Sequence, residues 1–359
     1  MKKICFFGGN LNHSGGTERV STSIANALAE KGYPVIMLNL SQGLSPFFAL
    51  HPSIENYQLH AQPVSATKSY FSTVSQLRSF LIQHKIDTLI VVESMLSLFS
   101  LPAVFGLKIK HITWEHFNYN VDLGKRLRRL ARHTSRLFSD TIVTLTEKDK
   151  TIWLDKTYGR AELIAIPNPS PYAVSANQPS LAYKTVLAVG RLTHQKGFDL
   201  LLQAWAEAKK HTISEGWQLQ IVGEGEDKAK LEELITSLNL VNSVTIYPFS
   251  NKIEQYYQQA SVFCLSSLFE GLPMVLLEAQ SFGLPVVAFD CITGPSEIIE
   301  QSKNGFLCKP EQIGNLVQGL VKMMSLPEDE YYQMSVCAKE QVKTKFNLES
   351  IIEKWINIL

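Results

Sequence analysis

Two glutamates, Glu270 and Glu278, are the strongest candidates in this sequence for binding or catalysis. Glu270 follows an apolar run predicted to be a strand, Val262–Leu265, and Glu278 lies in the helix predicted after it. A carboxylate inside an otherwise apolar helix is costly to bury unless it accepts hydrogen bonds, and the vicinal hydroxyls of a ribose are suitable donors. The amides of Met274 and Val275, in the first turn of that helix, can face a phosphate because a helix N-terminus attracts anions.

Two cations, Arg191 and Lys196, directly follow another predicted strand, Thr185–Val189. A guanidinium fork and a point charge placed together can hold a diphosphate. The alternative is two exposed cations on an ordinary loop. Their position after a core strand favours the ligand, since ligands of parallel α/β sheets collect at the carboxyl ends of the strands.

Two glycine turns occupy comparable positions. Gly15 and Gly16 lead into a helix predicted at Thr17–Lys31, and Gly223 and Gly225 follow a further strand. Glycines let the backbone approach a phosphate, a base or a ribose closely, but the spacing is neither the dinucleotide fingerprint nor a P-loop. A tight turn without a ligand explains the first pair nearly as well, and a plain strand-to-helix turn is the simpler interpretation of the second.

The elements that must position these residues alternate along the whole chain. Continuous apolar runs predict ten strands, at Ile4–Phe7, Val35–Leu40, Thr88–Val92, Ile109–Trp114, Thr141–Leu145, Thr185–Val189, Gln218–Val222, Val244–Tyr247, Val262–Leu265 and Val286–Phe289. Helical periodicity falls between them, at Thr17–Lys31, Phe198–Lys209, Asp227–Leu238, Met274–Phe282 and Ile313–Met324. Buried parallel strands alternating with helices predict an α/β fold with both sheet faces covered.

A chain of 359 residues exceeds what one core usually fills, so two domains are expected. The proline-rich stretch Pro167–Tyr183 has no period and is typical of a linker. We therefore predict an N-terminal domain over residues 1–170, a linker over 171–183, a second domain over 184–340, and a C-terminal helix over 341–359 that packs back on the first domain. The two doubly wound domains are expected to face a central cleft.

Charge and cysteine usage add weaker indications. The formal net charge is +1, but residues 1–170 hold 19 Lys and Arg against 12 Asp and Glu, so this half is basic and the remainder acidic. A basic half could attract a phosphate-bearing substrate or an anionic membrane. The five scattered cysteines are typical of buried thiols in a reducing compartment. The apolar run after Met1 stops too early for a signal peptide, and Leu89–Leu107 is interrupted by polar residues, so a cytoplasmic protein is expected.

Taken together, these segments resemble the large family 4 of retaining glycosyltransferases, also called group 1, which have the GT-B fold of two Rossmann-like domains. The resemblance rests on four motifs in the family's order over nearly the whole chain: an N-terminal Ser-Gly-Gly-Thr-Glu-Arg loop, Gly-Arg-Leu followed by Lys-Gly, Gly-Glu-Gly, and Glu-x7-Glu. Any one motif is weak, and four in register are specific. Where many members have Glu-Gly-Phe-Gly, this chain has Glu-Gly-Leu-Pro, so an amide at Pro273 is lost.

The resemblance implies roles for these residues. Glu278 binds the nucleoside ribose, near the Gly223–Gly225 turn, and Glu270 contacts the donor sugar. Arg191 and Lys196 neutralise the diphosphate, which Gly16 approaches from the other domain. His116, after the predicted strand Ile109–Trp114, lies beside the donor sugar. We count Glu270, His116, Arg191 and Lys196 as the catalytic candidates.

The implied reaction moves a hexose or N-acetylhexosamine from a nucleotide-sugar, with uridine diphosphate preferred on family grounds, to a glycan acceptor of a bacterial surface polysaccharide. No metal or other cofactor is expected, because Arg191, Lys196 and a helix N-terminus can stabilise the leaving diphosphate and no Asp-x-Asp pair is present. The acceptor attacks from the face that the diphosphate leaves. The rival mechanism makes Glu270 a covalent nucleophile, as in retaining glycosidases.

Two segments of the basic half bear on the acceptor. Six cations lie on one predicted helix with leucines on its other face: Lys125, Arg126, Arg128, Arg129, Arg132 and Arg136, against Leu127, Leu130, Thr134 and Leu137. The pattern suits a solvated surface helix or a peripheral membrane contact. A second amphipathic segment, from Lys68 to Leu81, could simply contribute to the core. A lipid-diphosphate-linked glycan acceptor at the inner membrane face is the resulting hypothesis, with no nucleic-acid partner.

Three other classes of protein share parts of this pattern. A nucleotide-sugar epimerase of the same architecture would turn over the donor without an acceptor. A nicotinamide oxidoreductase would need the dinucleotide fingerprint and an acidic residue ending the second strand, where this chain has Leu40 and Ser41. A non-catalytic sugar-binding protein would not need the full set of diphosphate and ribose candidates.

Overall fold

The computed structural model describes residues 1–65, 67–122 and 124–359, and the chain divides into two compact units. The N-terminal unit consists of Met1–Pro169 together with Leu348–Leu359, and the C-terminal unit is Ser170–Asn347. Each unit is built on one parallel β-sheet with its own helices.

Thirteen strands are found in the described residues. They are β1 Ile4–Gly8, β2 Val35–Ser41, β3 Glu55–His60, β4 Thr88–Val92, β5 Lys110–Trp114, β6 Thr141–Thr144, β7 Glu162–Ala165, β8 Thr185–Val189, β9 Gln218–Val222, β10 Val244–Tyr247, β11 Val262–Leu265, β12 Val286–Phe289 and β13 Gly305–Cys308. The α-helices are α1 Gly16–Glu30, α2 Tyr70–Gln83, α3 Ser97–Val104, α4 Arg126–Phe138, α5 Glu147–Lys156, α6 Phe198–Ala208, α7 Lys228–Ser237, α8 Ile253–Gln259, α9 Met274–Ser281, α10 Pro295–Ile298, α11 Ile313–Met324, α12 Glu328–Lys345 and α13 Leu348–Asn357.

The N-terminal sheet has the strand order β3-β2-β1-β4-β5-β6-β7, and all its pairings are parallel. Its strand β1, which is paired on both sides, is completely buried from Ile4 to Phe7, as a strand covered by helices on both faces must be. The helix α1 covers the sheet with the side chains of Val20, Ile24 and Leu28, the spacing of one helical face.

The last helix of the chain, α13, belongs to the N-terminal unit. Its Trp355 is 1 % exposed and meets Trp114 of β5 edge to face, with ring centroids 4.7 Å apart. Two buried tryptophans in contact anchor a short helix strongly, because each removes a large apolar area from water. The segment Leu348–Leu359 therefore completes the core of this unit.

The C-terminal sheet has the order β10-β9-β8-β11-β12-β13, again all parallel. Apolar side chains of α6 and α11 pack with β8, β9 and β12 in one cluster around Trp205, which is fully buried. In both sheets the strand order reverses next to the first strand of the unit, between β1 and β4 and between β8 and β11. Ligands of such sheets bind at this switch point, outside the carboxyl ends of the strands.

The prediction of an α/β fold with two doubly wound parallel sheets is confirmed. The sequence missed three strands, β3, β7 and β13, and all three lie at a sheet edge. An edge strand pairs on one side only, so it needs no long apolar run; β3, for example, reads Glu-Asn-Tyr-Gln-Leu-His. The stretch predicted as a linker contains one short 3₁₀ turn, Leu181–Tyr183, and otherwise no helix or strand.

The basic helix, which suited a solvated surface helix or a membrane contact, in fact buries two of its six cations. On α4 the side chains of Arg128 and Arg132 are 2 % and 0 % exposed, whereas Leu130 and Leu137 are about half exposed. These two arginines turn inward because the carboxylates of Glu93 and Glu115, described below, offer them ion pairs. The leucines are left outside, so the exposed face of this helix carries leucines beside the exposed Arg126 and Arg129.

The second amphipathic segment divides between core and surface. Leu77 and Leu81 of α2 are fully buried in the cluster that covers the N-terminal sheet, as the core interpretation expected. Phe71, in the first turn of the same helix, is 84 % exposed.

Candidate active site

Lys196 and Glu270 lie together at the switch point of the C-terminal sheet. Lys196 is on the loop after β8 and Glu270 is on the loop after β11, and these two strands are neighbours. The Nζ atom of Lys196 is 2.6 Å from Oε1 of Glu270, and their side chains are 14 % and 9 % exposed. The cation predicted to hold a diphosphate and the carboxylate predicted to contact the sugar are thus one ion pair.

The two loops are tied to each other by their backbones. Leu268 donates its N–H to the carbonyl oxygen of Gln195 at 2.9 Å, and the Gln195 side chain donates to the carbonyl oxygen of Phe269 at 3.0 Å. Gly197 has a left-handed φ of 57°, and a Cβ there would collide with the carbonyl oxygen of Ser266. Glycine is required at this position because the β11 loop passes so close.

The loop after β12 completes the support of Glu270. Thr293 is fully buried, and its hydroxyl donates a 2.6 Å hydrogen bond to the backbone carbonyl of Glu270. Cys291, on the same loop, is 1 % exposed, and burial raises the pKa of its thiol to about 12, with the nearby Glu270 carboxylate adding to the effect. Cys291 is therefore a protonated neighbour of the pair.

Glu278 is 9 % exposed on α9, one turn into the helix. The hydroxyl of Tyr257, from α8, donates a 2.7 Å hydrogen bond to its Oε2 atom. The Tyr257 ring is itself held by stacking on Phe282, with ring centroids 5.4 Å apart and planes 11° apart. The carboxylate is therefore buried and hydrogen-bonded, as its apolar surroundings required.

The first turn of α9 lies between the two glutamates. Pro273 is the residue before the helix, Met274 and Val275 begin it, and both are half-buried. The Leu276 N–H already bonds the Pro273 carbonyl oxygen at 3.0 Å. The amides of Met274 and Val275 come at the positive end of the helix dipole, where an anion is stabilised.

Packing alone accounts for the glycines at the end of β9. A Cβ on Gly223 would overlap the carbonyl oxygen of Gly190, and one on Gly225 would overlap that of Leu192. Both glycines therefore lie against the backbone of the loop that carries Arg191. The side chain of Arg191 is exposed. This favours the plain-turn interpretation of both glycines, and a nucleoside contact there stays a prediction.

The remaining candidates belong to the N-terminal unit. Gly15 is the residue before α1 and Gly16 is its first residue; both are exposed, and a Cβ on Gly16 would contact nothing. His116 follows β5 and its ring centroid lies 4.5 Å from that of Trp114. Its Nε2 atom is buried without a hydrogen-bond partner among the described residues, and burial lowers its pKa to about 4. The imidazole is therefore neutral at pH 7.

An ionic network at the ends of β4 and β5 was missed by the sequence interpretation. Glu115 is 1 % exposed and accepts hydrogen bonds from Ser94 at 2.5 Å and from Arg132 at 3.0 Å. Burial alone would raise the pKa of Glu115, but the Arg132 guanidinium and these hydrogen bonds outweigh it, so its pKa lies below the ordinary value. Beside it, Arg128 pairs with Glu93.

Comparison with known proteins decides the family. The model of the glycosyl transferases group 1 matches residues 175–341, and that of glycosyltransferase family 4 matches residues 14–172. An uncharacterized glycosyltransferase of Haemophilus influenzae is 41 % identical over the full length of both chains. The chain belongs to this family of glycosyltransferases. The amylovoran biosynthesis glycosyltransferase AmsD of Erwinia amylovora is 30 % identical, also over the full length of both.

Other similar proteins extend the comparison. A Campylobacter jejuni enzyme, GalNAc-alpha-(1->4)-GalNAc-alpha-(1->3)-diNAcBac-PP-undecaprenol alpha-1,4-N-acetyl-D-galactosaminyltransferase, is 28 % identical over all of this chain and 98 % of its own. Among solved structures, sucrose-phosphate synthase of Thermosynechococcus elongatus has a TM-score of 0.85 at 17 % identity, covering 100 % and 98 % of the chains. HepE of Anabaena, in complex with UDP, has a TM-score of 0.83 at 18 % identity, covering 99 % of each. These structures share the GT-B fold, and the relatives do not favour an epimerase.

Among the described residues, no group of three or more His, Cys, Asp and Glu side chains is arranged to hold a metal ion. None of the helices within those residues combines the length and the apolar character needed to cross a bilayer.

Several supporting residues of this glycosyltransferase could not be recognised in its sequence. Thr293 and Cys291 look like ordinary loop residues, and their only signal is that they follow the strand β12. Tyr257 lies on a short helix 21 residues before Glu278, and nothing in the pattern pairs them. The Glu115–Arg132 pair was hidden because the arginine fell on what looked like a solvated face.

Proposed function

We propose that this glycosyltransferase retains the anomeric configuration while it transfers a hexose or N-acetylhexosamine from a UDP-sugar to a lipid-linked glycan in the synthesis of a bacterial surface polysaccharide. The observation that carries the donor assignment is the Lys196–Glu270 pair beside α9 at the switch point of the C-terminal sheet. AmsD is named for amylovoran biosynthesis, the Campylobacter relative for an undecaprenol-diphosphate glycan, and HepE was solved with UDP. These names support the proposal without fixing the sugar.

In the proposed donor site each group has one task. Glu278 accepts hydrogen bonds from the ribose, and Tyr257 orients its carboxylate. The diphosphate lies at the N-terminus of α9, where Lys196 and Arg191 supply positive charge as the leaving oxygen becomes negative. Glu270 holds a hydroxyl of the transferred sugar. His116, whose contact with that sugar stays a prediction, is neutral at pH 7.

Retention follows in this proposal from attack on the face that the diphosphate leaves, with the diphosphate taking the acceptor's proton. A covalent intermediate on Glu270 is the rival. Its Oε1 is 2.6 Å from the Lys196 ammonium, which lowers the nucleophilicity of the carboxylate and suits a binding role. Mass spectrometry of the protein incubated with a fluorinated donor would detect a glycosyl adduct on Glu270 if the rival were right.

Transfer is proposed to proceed without a metal ion, because the two cations and the α9 terminus already provide the charge that a divalent ion would supply. Full activity in excess EDTA is the expected result. A loss of activity that Mg²⁺ or Mn²⁺ restores would contradict it.

The lipid-linked acceptor accounts for an unusual surface of the N-terminal unit. A groove of about 1110 Å³ runs between α3 and α4. Apolar side chains line it, including the exposed Phe105, Leu130, Leu137 and Phe138. Arg160, 66 % exposed and paired with Asp140 at 3.3 Å, lies in its wall. Exposed aromatic and leucine side chains beside cations are typical of peripheral contact with an anionic bilayer.

We therefore expect peripheral binding at the inner face of the cytoplasmic membrane. Vesicles that contain phosphatidylglycerol should bind the protein, and the Phe105→Ser, Phe138→Ser double variant should bind at least tenfold less. Phe249→Ser, a change of the same kind at a 60 % exposed site of the C-terminal unit, is the control. Equal binding to neutral and anionic vesicles would count against the membrane contact.

The direct test of the function is transfer. UDP-glucose, UDP-galactose and their N-acetylamino counterparts would be offered with synthetic undecaprenyl-diphosphate-linked glycans, and the product linkage would be assigned by NMR. An α-linkage from an α-configured donor is expected. A β-linkage would contradict retention, and transfer from GDP- or ADP-sugars alone would contradict the choice of nucleotide.

A further inference from the structure

A strained glutamate, Glu93, ends the strand β4 at the switch point of the N-terminal sheet. Its backbone has φ 81° and ψ 128°, a region that residues with a Cβ rarely adopt. Such a conformation costs about 1–3 kcal/mol and persists only where the surroundings enforce it, most often at a functional site. Here the Glu93 N–H is bonded to the carbonyl oxygen of Trp114 at 2.8 Å, which fixes the peptide against β5.

The side chain of Glu93 is partly exposed and takes part in an ion pair. Its Oε1 lies 2.7 Å from Nη2 of Arg128, and the two side chains are 30 % and 2 % exposed. No hydrogen bond to its other oxygen, Oε2, is found among the described residues. One oxygen is therefore held while a partly exposed acceptor remains at the carboxyl end of the sheet.

Arg128 is poorly satisfied for a residue with a purely structural role. Within the described part of the chain, its Nε and Nη1 atoms are buried without hydrogen-bond partners. Its guanidinium lies over the ring of Phe117, 4.4 Å from the centroid. Buried donors without acceptors are destabilising. An arginine with only a stabilising role would therefore be expected to donate hydrogen bonds from most of its five N–H groups. The neighbouring Arg132 is satisfied in this way, because its guanidinium donates four hydrogen bonds.

The arrangement suits a neutral polyol. A carboxylate held in place by a cation accepts hydrogen bonds from adjacent hydroxyls. A phosphate is disfavoured because it would be repelled by Glu93. The lipid diphosphate of an acceptor therefore belongs elsewhere, and the carbohydrate belongs here.

We propose that Glu93 binds hydroxyl groups of the acceptor glycan and helps to select it, with Arg128 as the positioning residue. The inference rests on the proposed function, since it gives the N-terminal unit the acceptor of that reaction. It adds a specificity-determining residue outside the motifs that identified the donor site. In this proposal, recognition of the acceptor is the reason that the protein keeps a strained backbone at Glu93 and buried, unpaired N–H groups on Arg128.

The test is binding of simple glycosides, which needs no turnover. Saturation-transfer NMR would be recorded with methyl α-glucoside, methyl α-galactoside and their N-acetylamino analogues, for the parent protein and for Glu93→Gln. We expect at least one glycoside to bind the parent and to bind the variant at least tenfold more weakly. Glu162→Gln, at an exposed carboxylate of the same unit, should behave as the parent.

A double variant separates recognition from folding. Glycine relieves a positive φ, and replacing the buried Arg128 by an apolar residue of similar size is often neutral or stabilising once its carboxylate partner is also removed. Glu93→Gly, Arg128→Met should therefore melt no lower than the parent yet lose the glycoside. Melting well below the parent would assign the pair to stability and overturn the proposal. So would equal glycoside binding by parent and Glu93→Gln, or no binding by the parent. UDP binding, measured on the same samples, reports on the donor site separately.

Discussion

Lys196 and Glu270 form a 2.6 Å ion pair although 74 residues separate them in the chain. The pair joins the group assigned to the diphosphate to the group assigned to the sugar. A change at one therefore alters the other, and this coupling shapes what variants of the donor site should do.

Replacing Glu270 by glutamine should separate binding from chemistry. The Glu270→Gln substitution removes the carboxylate that is proposed to contact the sugar and leaves Lys196 in place for the diphosphate. Turnover is expected to fall on the order of 10²-fold, the usual effect of losing one well-placed polar group, while the dissociation constant for UDP changes less than about threefold. Calorimetry with UDP and an initial-rate assay measure the two. Glu224→Gln, at the exposed glutamate of the Gly-Glu-Gly turn, is the matched control, and unchanged turnover in Glu270→Gln would refute the role.

Tyr257→Phe removes one hydroxyl and no packing. The 2.7 Å hydrogen bond to the buried Glu278 carboxylate is lost, so the free energy of unfolding should fall by about 1–3 kcal/mol. UDP should bind severalfold more weakly because the carboxylate is no longer held. Urea unfolding and calorimetry test both. The adjacent Tyr256 packs against Tyr247 and contacts no glutamate in the described contacts, so Tyr256→Phe should change neither the unfolding free energy nor UDP binding. A Tyr257→Phe protein that behaved like Tyr256→Phe would contradict the assignment.

The two arginine types of α4 should respond very differently to alanine. Arg132→Ala leaves the Glu115 carboxylate buried without its cation, so a loss of about 3–5 kcal/mol in unfolding free energy is expected. The side chain of Arg129 is 74 % exposed and paired with Asp122 at 3.1 Å. Arg129→Ala should therefore lower the free energy of unfolding by at most about 1 kcal/mol. Similar losses in the two variants, measured by urea unfolding, would show that the inward face has been misidentified.

Asp149 should make stability fall as pH rises. Burial raises the pKa of this carboxyl from an ordinary value of 3.8 to about 7, so between these values the folded state binds more protons than the unfolded state. Each pH unit in that window then costs at most about 1.4 kcal/mol. Asp149→Asn keeps an oxygen for the Tyr119 N–H, which donates to Asp149 at 2.7 Å, and does not titrate.

The variant's urea midpoint relative to the parent should therefore increase from pH 5 to pH 7. Asp155→Asn, at an exposed carboxylate of the same helix, should follow the parent at every pH. Parallel curves for the parent and Asp149→Asn would rule out a raised pKa.

The sequence predicted well what depends on local pattern. The strand Thr185–Val189 and the helix at Ile313–Met324 were placed at their observed bounds, because continuous apolar runs and helical periodicity report burial directly. The edge strand β3 was missed because pairing on one side leaves its sequence polar. The candidates after β8 and β11 could be placed at strand ends, but their contact depends on which strands are neighbours, and that is a property of the whole sheet.

The arginines of α4 show a different limit. An amphipathic pattern divides a helix into two faces without saying which is inside, and the usual rule assigns the apolar face to the core. In this helix Arg132 finds Glu115 inside, a partner 17 residues away on another element, and the leucines stay outside. The strain at Glu93 is equally invisible in the sequence, since nothing about a glutamate after a strand indicates a positive φ.

The most direct test of the donor site is a thermal-shift screen of nucleotide-sugars with the parent protein, Lys196→Ala and Glu278→Ala. A UDP-sugar is expected to give the largest stabilisation of the parent, because ligand binding to the folded state raises the melting temperature. Both variants should lose most of that shift, one through the diphosphate and the other through the ribose. A best donor whose shift survives both substitutions would contradict the account.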